Sequence, residues 1–117
     1  MNKAGMGREG ENKAAAALEQ AGMSIIARNI RFNSGEIDLV ALDGETMVFV
    51  EVKSWTAYGF EDLRFGINPK KQRRIIETAK NFLSSHREYN CMALRFDVVF
   101  ISPETTTHLT AAFTEEV

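Results

Sequence analysis

The chain has 117 residues, of which 44% are hydrophobic and 26% are charged, as in an ordinary soluble domain with one core. No linker or repeat divides the sequence, so it predicts a single domain over residues 1–117. The formal net charge of −2 excludes a uniformly basic protein. Any binding of nucleic acid must therefore depend on local clusters of positive charge.

The start of the chain has too few apolar residues for a signal peptide, and no apolar run approaches membrane-spanning length. We therefore expect a cytoplasmic protein without a membrane partner. Cys91 is the only cysteine, which excludes an internal disulfide. With only His86 and His108 beside it, a structural zinc site is not expected.

An alanine-rich segment, residues 8–21, predicts a first helix that Gly22 ends. Glu11, Ala15 and Leu18 lie at helical spacing, so Glu11 belongs to the stripe expected to pack on a sheet. A carboxylate that faces inward needs a partner, which makes Glu11 a candidate site residue. The alternative is a first-turn glutamate that the helix dipole favours and that bends toward solvent.

Residues 23–27 predict a short strand, and two further runs, 35–41 and 48–53, predict an antiparallel hairpin with Asp43-Gly44 at its turn. Between them, Arg28 and Arg31 are candidates for phosphate contacts, because the guanidinium fork matches phosphate oxygens. The alternative is that both arginines are solvated or paired with carboxylates.

Polar residues interrupt both strands of this hairpin. Side chains alternate along a strand, so Glu51 and Lys53 share a face. A two-residue loop that pairs residue 42 with 45 places Glu36 opposite Glu51, whereas a four-residue loop places Asp38 there. A three-residue loop without a bulge would send Asp38 and Glu51 to opposite faces.

Carboxylates that face each other across strands destabilise a sheet unless a cation lies between them. Mg²⁺ or Mn²⁺ would remove this conflict, since such ions bind through a few carboxylate oxygens and leave room for water and a phosphate. The pattern therefore predicts a metal site at Asp38 and Glu51, with Lys53 acting on the reacting water or phosphate. The alternative is an amphipathic hairpin with a solvated polar face.

Residues 54–67 have no clear periodicity and predict a loop beside this site, suited to contact a substrate. Trp55 would follow Lys53 on the same strand face, either stacked on an unpaired base or packed against the protein.

The second helix has the clearest signals, with Asn68 as N-cap, Pro69 at the first position and an apolar stripe of Ile75, Ile76, Ala79, Phe82 and Leu83. Lys70, Lys71, Arg73 and Arg74 crowd its first turns, although the helix dipole disfavours cations there. A helix start with exposed N–H groups suits phosphate. We therefore predict phosphate contacts for Lys71 and Arg74, and the alternative is a solvated basic face.

Residues 94–101 predict a strand in which Asp97 is structural or bonded to a neighbouring arginine rather than a metal ligand, and residues 108–113 predict a weak edge strand with His108 as an ordinary edge residue. The order of elements predicts an α/β domain with a central mixed sheet flanked by two main helices.

The motif Glu51-Val52-Lys53, preceded by Asp38 in Gly-Glu-Ile-Asp, resembles the PD-(D/E)XK nuclease signature. The resemblance extends over nearly the whole chain to the bacterial YraN-like family of small predicted nucleases, through Arg28-Asn29, Arg31, Lys71-Gln72-Arg73-Arg74 and Arg95-Phe96-Asp97-Val98-Val99. It implies a restriction-endonuclease-like fold related to archaeal Holliday junction resolvases. Asp38 and Glu51 would be metal ligands, Lys53 the catalytic lysine and Glu11 a helix-borne acid of the same site. Trp55 stands where related sequences commonly carry arginine.

The resemblance implies a Mg²⁺- or Mn²⁺-dependent endonuclease whose substrate is DNA, branched DNA included. An alternative is a module that binds nucleic acid in DNA repair or recombination without cutting it. A third possibility is an interaction protein whose carboxylates only form surface ion pairs. Symmetric cutting of a junction would favour a homodimer, although no residue assigns an interface.

Overall fold

A computed structural model of the protein describes residues 3–54 and 68–114, with side chains from residue 8 to 53 and from 68 to 114. Residues 55–67 of the predicted loop, Trp55 among them, lie outside the described residues. The elements in chain order are α1 (Lys3–Gln20), β1 (Ser24–Phe32), β2 (Gly35–Asp43), β3 (Thr46–Ser54), α2 (Pro69–Ser85), a short 3-10 helix (Arg87–Tyr89), β4 (Ala93–Ile101) and β5 (Thr106–Phe113).

Within the described residues the strands form one five-stranded sheet in the order β1-β2-β3-β4-β5. All neighbouring strands are antiparallel except β3 and β4, which are parallel. The chain between these two strands contains α2. The sheet is therefore mixed and flanked by two main helices, which confirms the predicted fold class.

Each helix covers one face of the sheet, because residues of β3 alternate between the two faces. Val48 and Val50 pack in the cluster of buried residues that contains Leu18 of α1. Met47 and Phe49 pack in the other cluster, with Phe82 of α2. Glu51 continues the alternation from Phe49, so the polar end of β3 faces α2.

Helix α1 begins at Lys3, five residues before the predicted start at residue 8. The additional turn contains Gly5 and Gly7, and a glycine costs a helix only about 1 kcal/mol relative to alanine. The predicted end is confirmed, because Gly22 follows with φ +96°. No helix among the described residues is long and apolar enough to cross a membrane.

Helix α2 begins as predicted. The Asn68 side chain accepts a hydrogen bond of 2.8 Å from the backbone N–H of Lys71, and Pro69 occupies the first helical position. Ile75, Ala79 and Phe82 are buried, and the other members of the predicted stripe pack partly buried against the same cluster.

Strand β1 extends beyond the predicted residues 23–27 and forms a hairpin with β2. Strand β1 continues to Phe32, which pairs with Gly35, although Arg28 and Asn29 interrupt its apolar pattern. The pairs Arg28–Leu39 and Ile30–Ile37 flank Asn29 and keep this segment in the sheet.

The turn of the second hairpin lies one residue later than predicted, at Gly44 and Glu45, with Asp43 paired to Thr46. Only Gly44 takes a positive φ, of +62°. Asp43 stays in β2 and binds Arg95.

Asp97 is a buried carboxylate on β4 that holds the β5 edge of the sheet. Arg95 donates two hydrogen bonds to it, His108 Nε2 lies 2.7 Å from Oδ2, and the Ala111 N–H donates to Oδ1. Burial alone would raise the pKa of Asp97, but the hydrogen bonds from His108, Arg95 and Ala111 lower it below its ordinary value. The prediction of a structural Asp97 bonded to arginine is confirmed. The prediction of an ordinary edge role for His108 is wrong, because β5 turns its ring onto a buried carboxylate.

Candidate active site

The register of β2 and β3 brings two carboxylates together at the end of their ladder. Pairing runs from Asp43–Thr46 to Leu39–Val50, so the next position sets Asp38 opposite Glu51. This is one of the two registers that gather carboxylates on one face. Across the pair, the backbone N–H of Val52 donates to Asp38 Oδ2 at 2.8 Å.

Asp38 is strongly perturbed by this position. Burial raises its pKa first, the Glu51 charge raises it further, and the hydrogen bond from Val52 opposes both, so the pKa stands at about 7 against an ordinary 3.8. Glu11 adds a smaller effect in the same upward direction. The strands therefore hold acidic groups closer together than their charges favour.

Two lysines meet these carboxylates. Lys71 Nζ lies 2.6 Å from Glu51 Oε2, where the Glu51 side chain is 12% exposed and the Lys71 side chain 39%. Lys53 follows Glu51 on the same strand, and its pKa is lowered by burial and then by the neighbouring Lys71 charge. The structure thus brings Asp38, Glu51, Lys53 and Lys71 into one electrostatic cluster. The sequence predicted a phosphate contact for Lys71 and not this ion pair with Glu51.

Glu11 faces inward, as its position in the apolar stripe predicted. Its side chain is 11% exposed, its Oε1 accepts a hydrogen bond of 3.0 Å from Asn29 Nδ2, and Arg28 Nη1 lies 3.7 Å away. Arg28 also donates to Asn12 at 2.7 Å. In this structure Arg28 therefore binds α1 side chains.

Asn29 contacts the candidate site through Glu11, which sequence reasoning missed. It has φ +52° and lies between the pairs Arg28–Leu39 and Ile30–Ile37, which sets it opposite Asp38. Asparagine tolerates the left-handed region better than most residues. The available signal was the Arg-Asn pair of the family motif, in which only the arginine was given a role.

A cleft of about 510 Å³ separates the carboxylate pair from the start of α2. Its lining includes Glu36, Asp38, Glu51, Lys70, Lys71 and Arg74. Arg31 forms an exposed ion pair with Glu36, in which Arg31 Nη2 lies 2.9 Å from Glu36 Oε2. Of the predicted cations, Lys71 and Arg74 line the cleft, whereas Arg28 and Arg31 are paired on β1.

Comparison with known proteins identifies the chain's relatives. Residues 10–101 match the model of "Uncharacterised protein family UPF0102". The chain belongs to this family. The matched residues include all eight predicted site residues, from Glu11 to Arg74.

UPF0102 relatives are similar over most of their lengths. A UPF0102 protein of Treponema pallidum (strain Nichols) is 48% identical over 96 residues, which cover 82% of this chain and 76% of the relative. One of Dechloromonas aromatica (strain RCB) is 37% identical over 110 residues, covering 94% and 89%. None of these names states a reaction, so the function has to be argued from the site.

In this UPF0102 protein a polar clamp fixes the wall of the cleft. Ser34 Oγ lies 2.8 Å from Thr78 Oγ1 and accepts a hydrogen bond from Asn81 Nδ2, which ties the β1–β2 turn to α2. A Cβ on Gly35 would lie 3.4 Å from Thr78 Oγ1, and Gly35 has φ +146°. Only glycine suits this position.

The donor set fits a hard divalent cation that retains water. Among the described residues no group of three or more His, Cys, Asp or Glu side chains is arranged to hold a metal ion. Asp38 and Glu51 supply two carboxylates, and Mg²⁺ commonly uses one or two together with waters and substrate phosphate. A dication would also offset the Glu51 charge, which adds to burial in raising the pKa of Asp38.

Proposed function

We propose that this protein is a metal-dependent phosphodiester hydrolase of nucleic acids, an endonuclease that acts on DNA. The observation that carries the proposal is the Asp38–Glu51 pair, held face to face at the floor of a cleft whose other wall carries Lys70, Lys71 and Arg74. Acidic groups that bind a cation thus lie next to basic groups that bind phosphate.

Burial distinguishes this cluster from surface ion pairs. Glu51 is 12% exposed and burial is the largest cause of the raised pKa of Asp38. Solvated carboxylates would not be perturbed in this way. Strongly perturbed groups in a cleft are typical of functional sites, because such an arrangement reduces stability unless a ligand uses it.

Each side chain has a place in hydrolysis. A divalent cation held by Asp38 and Glu51 would activate water and stabilise the leaving oxygen. Lys53, beside Glu51, would neutralise charge that develops on the phosphate. Glu11, whose Oε1 is held by Asn29, would orient the attacking water through its other oxygen.

The basic wall positions the substrate. Lys71 and Arg74 would contact backbone phosphates, which fix register without reading base sequence. The cleft lining offers no aromatic platform for a base among the described residues. Because Lys71 and Arg74 would contact phosphates, we propose an enzyme that recognises the backbone and the shape of DNA, branched DNA included.

A second candidate is a module that binds nucleic acid in repair or recombination without cutting it. The ion pair of Lys71 with Glu51 favours it, because a built-in ammonium already neutralises one of the two carboxylates. Such a module would keep the basic wall and would not need a metal.

The test is cleavage of a panel of labelled substrates in Mg²⁺ or Mn²⁺: a four-way junction, a flap, duplex DNA, single-stranded DNA and RNA. We expect cleavage that Glu51→Gln and Lys53→Ala abolish. Glu45→Gln and Lys13→Met are matched controls, because both side chains are exposed and lie away from the cleft.

Cleavage that survives Glu51→Gln would contradict the proposed site. Salt-sensitive binding without cleavage, weakened by Arg74→Ala, would establish the non-cutting module instead. If the protein neither cleaves nor binds nucleic acid, only the interpretation as an interaction protein would remain.

A further inference from the structure

We infer that Lys71 is an internal counter-ion that competes with the divalent cation for Glu51, so that cation binding releases Lys71 to bind the substrate phosphate. The inference rests on the proposed function and adds a coupling between its two ligands. It assigns to one side chain the link between the acidic floor and the basic wall of the cleft.

The contact itself is the first argument. Lys71 Nζ lies 2.6 Å from Glu51 Oε2, a short charge-assisted hydrogen bond. The carboxylate is largely buried, at 12% exposure, whereas the lysine side chain is 39% exposed. Glu51 is therefore fixed in place, and the ammonium on its flexible stem is the partner that can leave.

Geometry makes the two cations competitors. Mg²⁺ binds carboxylate oxygen at about 2.1 Å. An ion on Oε2 and an ammonium at its present distance from the same oxygen would lie less than about 5 Å apart, where like charges repel strongly in a partly buried site. The ammonium must therefore move when the dication binds.

The position of Lys71 decides where it can go. It is the third residue of α2, its backbone N–H is capped by Asn68, and its side chain lines the cleft beside Arg74. Lys53 lies close enough to Lys71 for the two charges to repel each other. A Lys71 ammonium without an anionic partner is therefore unfavourable. A phosphate in the cleft is the ligand that would restore its pairing.

The coupling is reciprocal by thermodynamic necessity. If the dication makes Lys71 available to phosphate, then bound phosphodiester makes Glu51 available to the dication by the same factor. Cation and DNA would then bind tightly together and weakly apart. A purely structural ion pair makes no such prediction.

The first measurement is calorimetric titration of the full chain with Mg²⁺ or Mn²⁺ in the absence of nucleic acid. Lys71→Met removes the competing charge and keeps the stem, so we expect a rise of about tenfold in the association constant, equivalent to about 1.4 kcal/mol. Lys70→Met is the matched control. It lines the same cleft without contacting Glu51, and we expect a change below about threefold, since a cation farther away in solvent is screened.

The second measurement is DNA binding by fluorescence anisotropy in a Lys53→Ala background, chosen to suppress cleavage. We expect Mg²⁺ to tighten binding of a labelled four-way junction about tenfold, and Lys71→Met to remove most of that gain. Lys71→Gln serves as a second variant, and circular dichroism checks that each variant is folded.

Equal metal affinity in the unmodified chain and in both Lys71 variants would overturn the inference and leave the metal site of the proposed function intact. Metal binding that Glu51→Gln fails to weaken, or no metal binding in any variant, would overturn both. A lower metal affinity in Lys71→Met would show that the lysine supports the site and would also overturn the inference.

Discussion

Replacing Asp38 with asparagine should stabilise the protein at alkaline pH in the absence of divalent ions. The pKa of Asp38 is about 7, against an ordinary value of 3.8. One pKa unit corresponds to about 1.4 kcal/mol, so a shift of this size corresponds to about 4 kcal/mol at most. We expect the variant to gain about 2 to 4 kcal/mol, because the asparagine carbonyl can still accept the Val52 hydrogen bond.

The sign follows from proton binding. The native carboxyl holds its proton more tightly than the unfolded one, so the stability that this proton contributes is complete below pH 3.8 and is lost as pH rises through about 7. Asparagine does not titrate. The unmodified chain should therefore lose stability relative to Asp38→Asn between these two values, and the difference should be largest near pH 8.

The assay is urea unfolding in EDTA at several values between pH 4 and 8. Asp43→Asn is the matched control, because Asp43 lies on the same strand but accepts a hydrogen bond of 2.8 Å from Arg95. Loss of the Asp43 charge that pairs with Arg95 should destabilise the protein at pH 8 by up to about 1 kcal/mol, as for other exposed ion pairs. An Asp38→Asn variant that follows the pH dependence of the unmodified chain would refute the reasoning.

Three further results are expected. Mg²⁺ at about ten times its dissociation constant should raise the free energy of unfolding at pH 8 by about 1.4 kcal/mol, and Glu51→Gln should abolish this gain. An equal gain in the unmodified chain and in Glu51→Gln would place the ion elsewhere. Gly35→Ala should lower the stability by about 1 to 3 kcal/mol in urea unfolding, because φ is +146° and the new Cβ meets the clamp on α2; an unchanged midpoint would contradict this. Asn29→Ala should lower both the stability and the cleavage rate. Asn29→Gly should recover the stability alone, since glycine accepts φ +52° but cannot donate a hydrogen bond to Glu11. Full recovery of the cleavage rate in Asn29→Gly would remove Asn29 from the site.

Local signals explain what the sequence predicted well. The Asn68-Pro69 pair and the apolar stripe of α2 are contained within a few turns, so their outcome depends little on the rest of the fold. The same is true of the alternation that sets Glu51 and Lys53 on one face. The stripe of α1 placed Glu11 inward, because helical spacing alone relates it to Leu18.

Long-range polar contacts explain what the sequence did not predict. Ser34 meets Thr78 across 44 positions of the chain, and His108 meets Asp97 only because β5 folds back on β4. No periodicity relates such residues. The positive φ of Asn29 also depends on long-range contacts, with the partner strand and with Glu11, rather than on its neighbours in sequence.

The cations at the start of α2 illustrate how the fold resolves a local conflict. The helix dipole disfavours positive charge at this end, and within the helix sequence only Glu77, four residues after Arg73, offers a compensating charge. The structure supplies it for Lys71, whose ammonium lies on the Glu51 carboxylate of β3. Arg74 lines the same cleft, and no ion pair joins it to a carboxylate within the described residues. Among these residues no carboxylate offsets its cost to the isolated helix, which is the reason to expect an anion there.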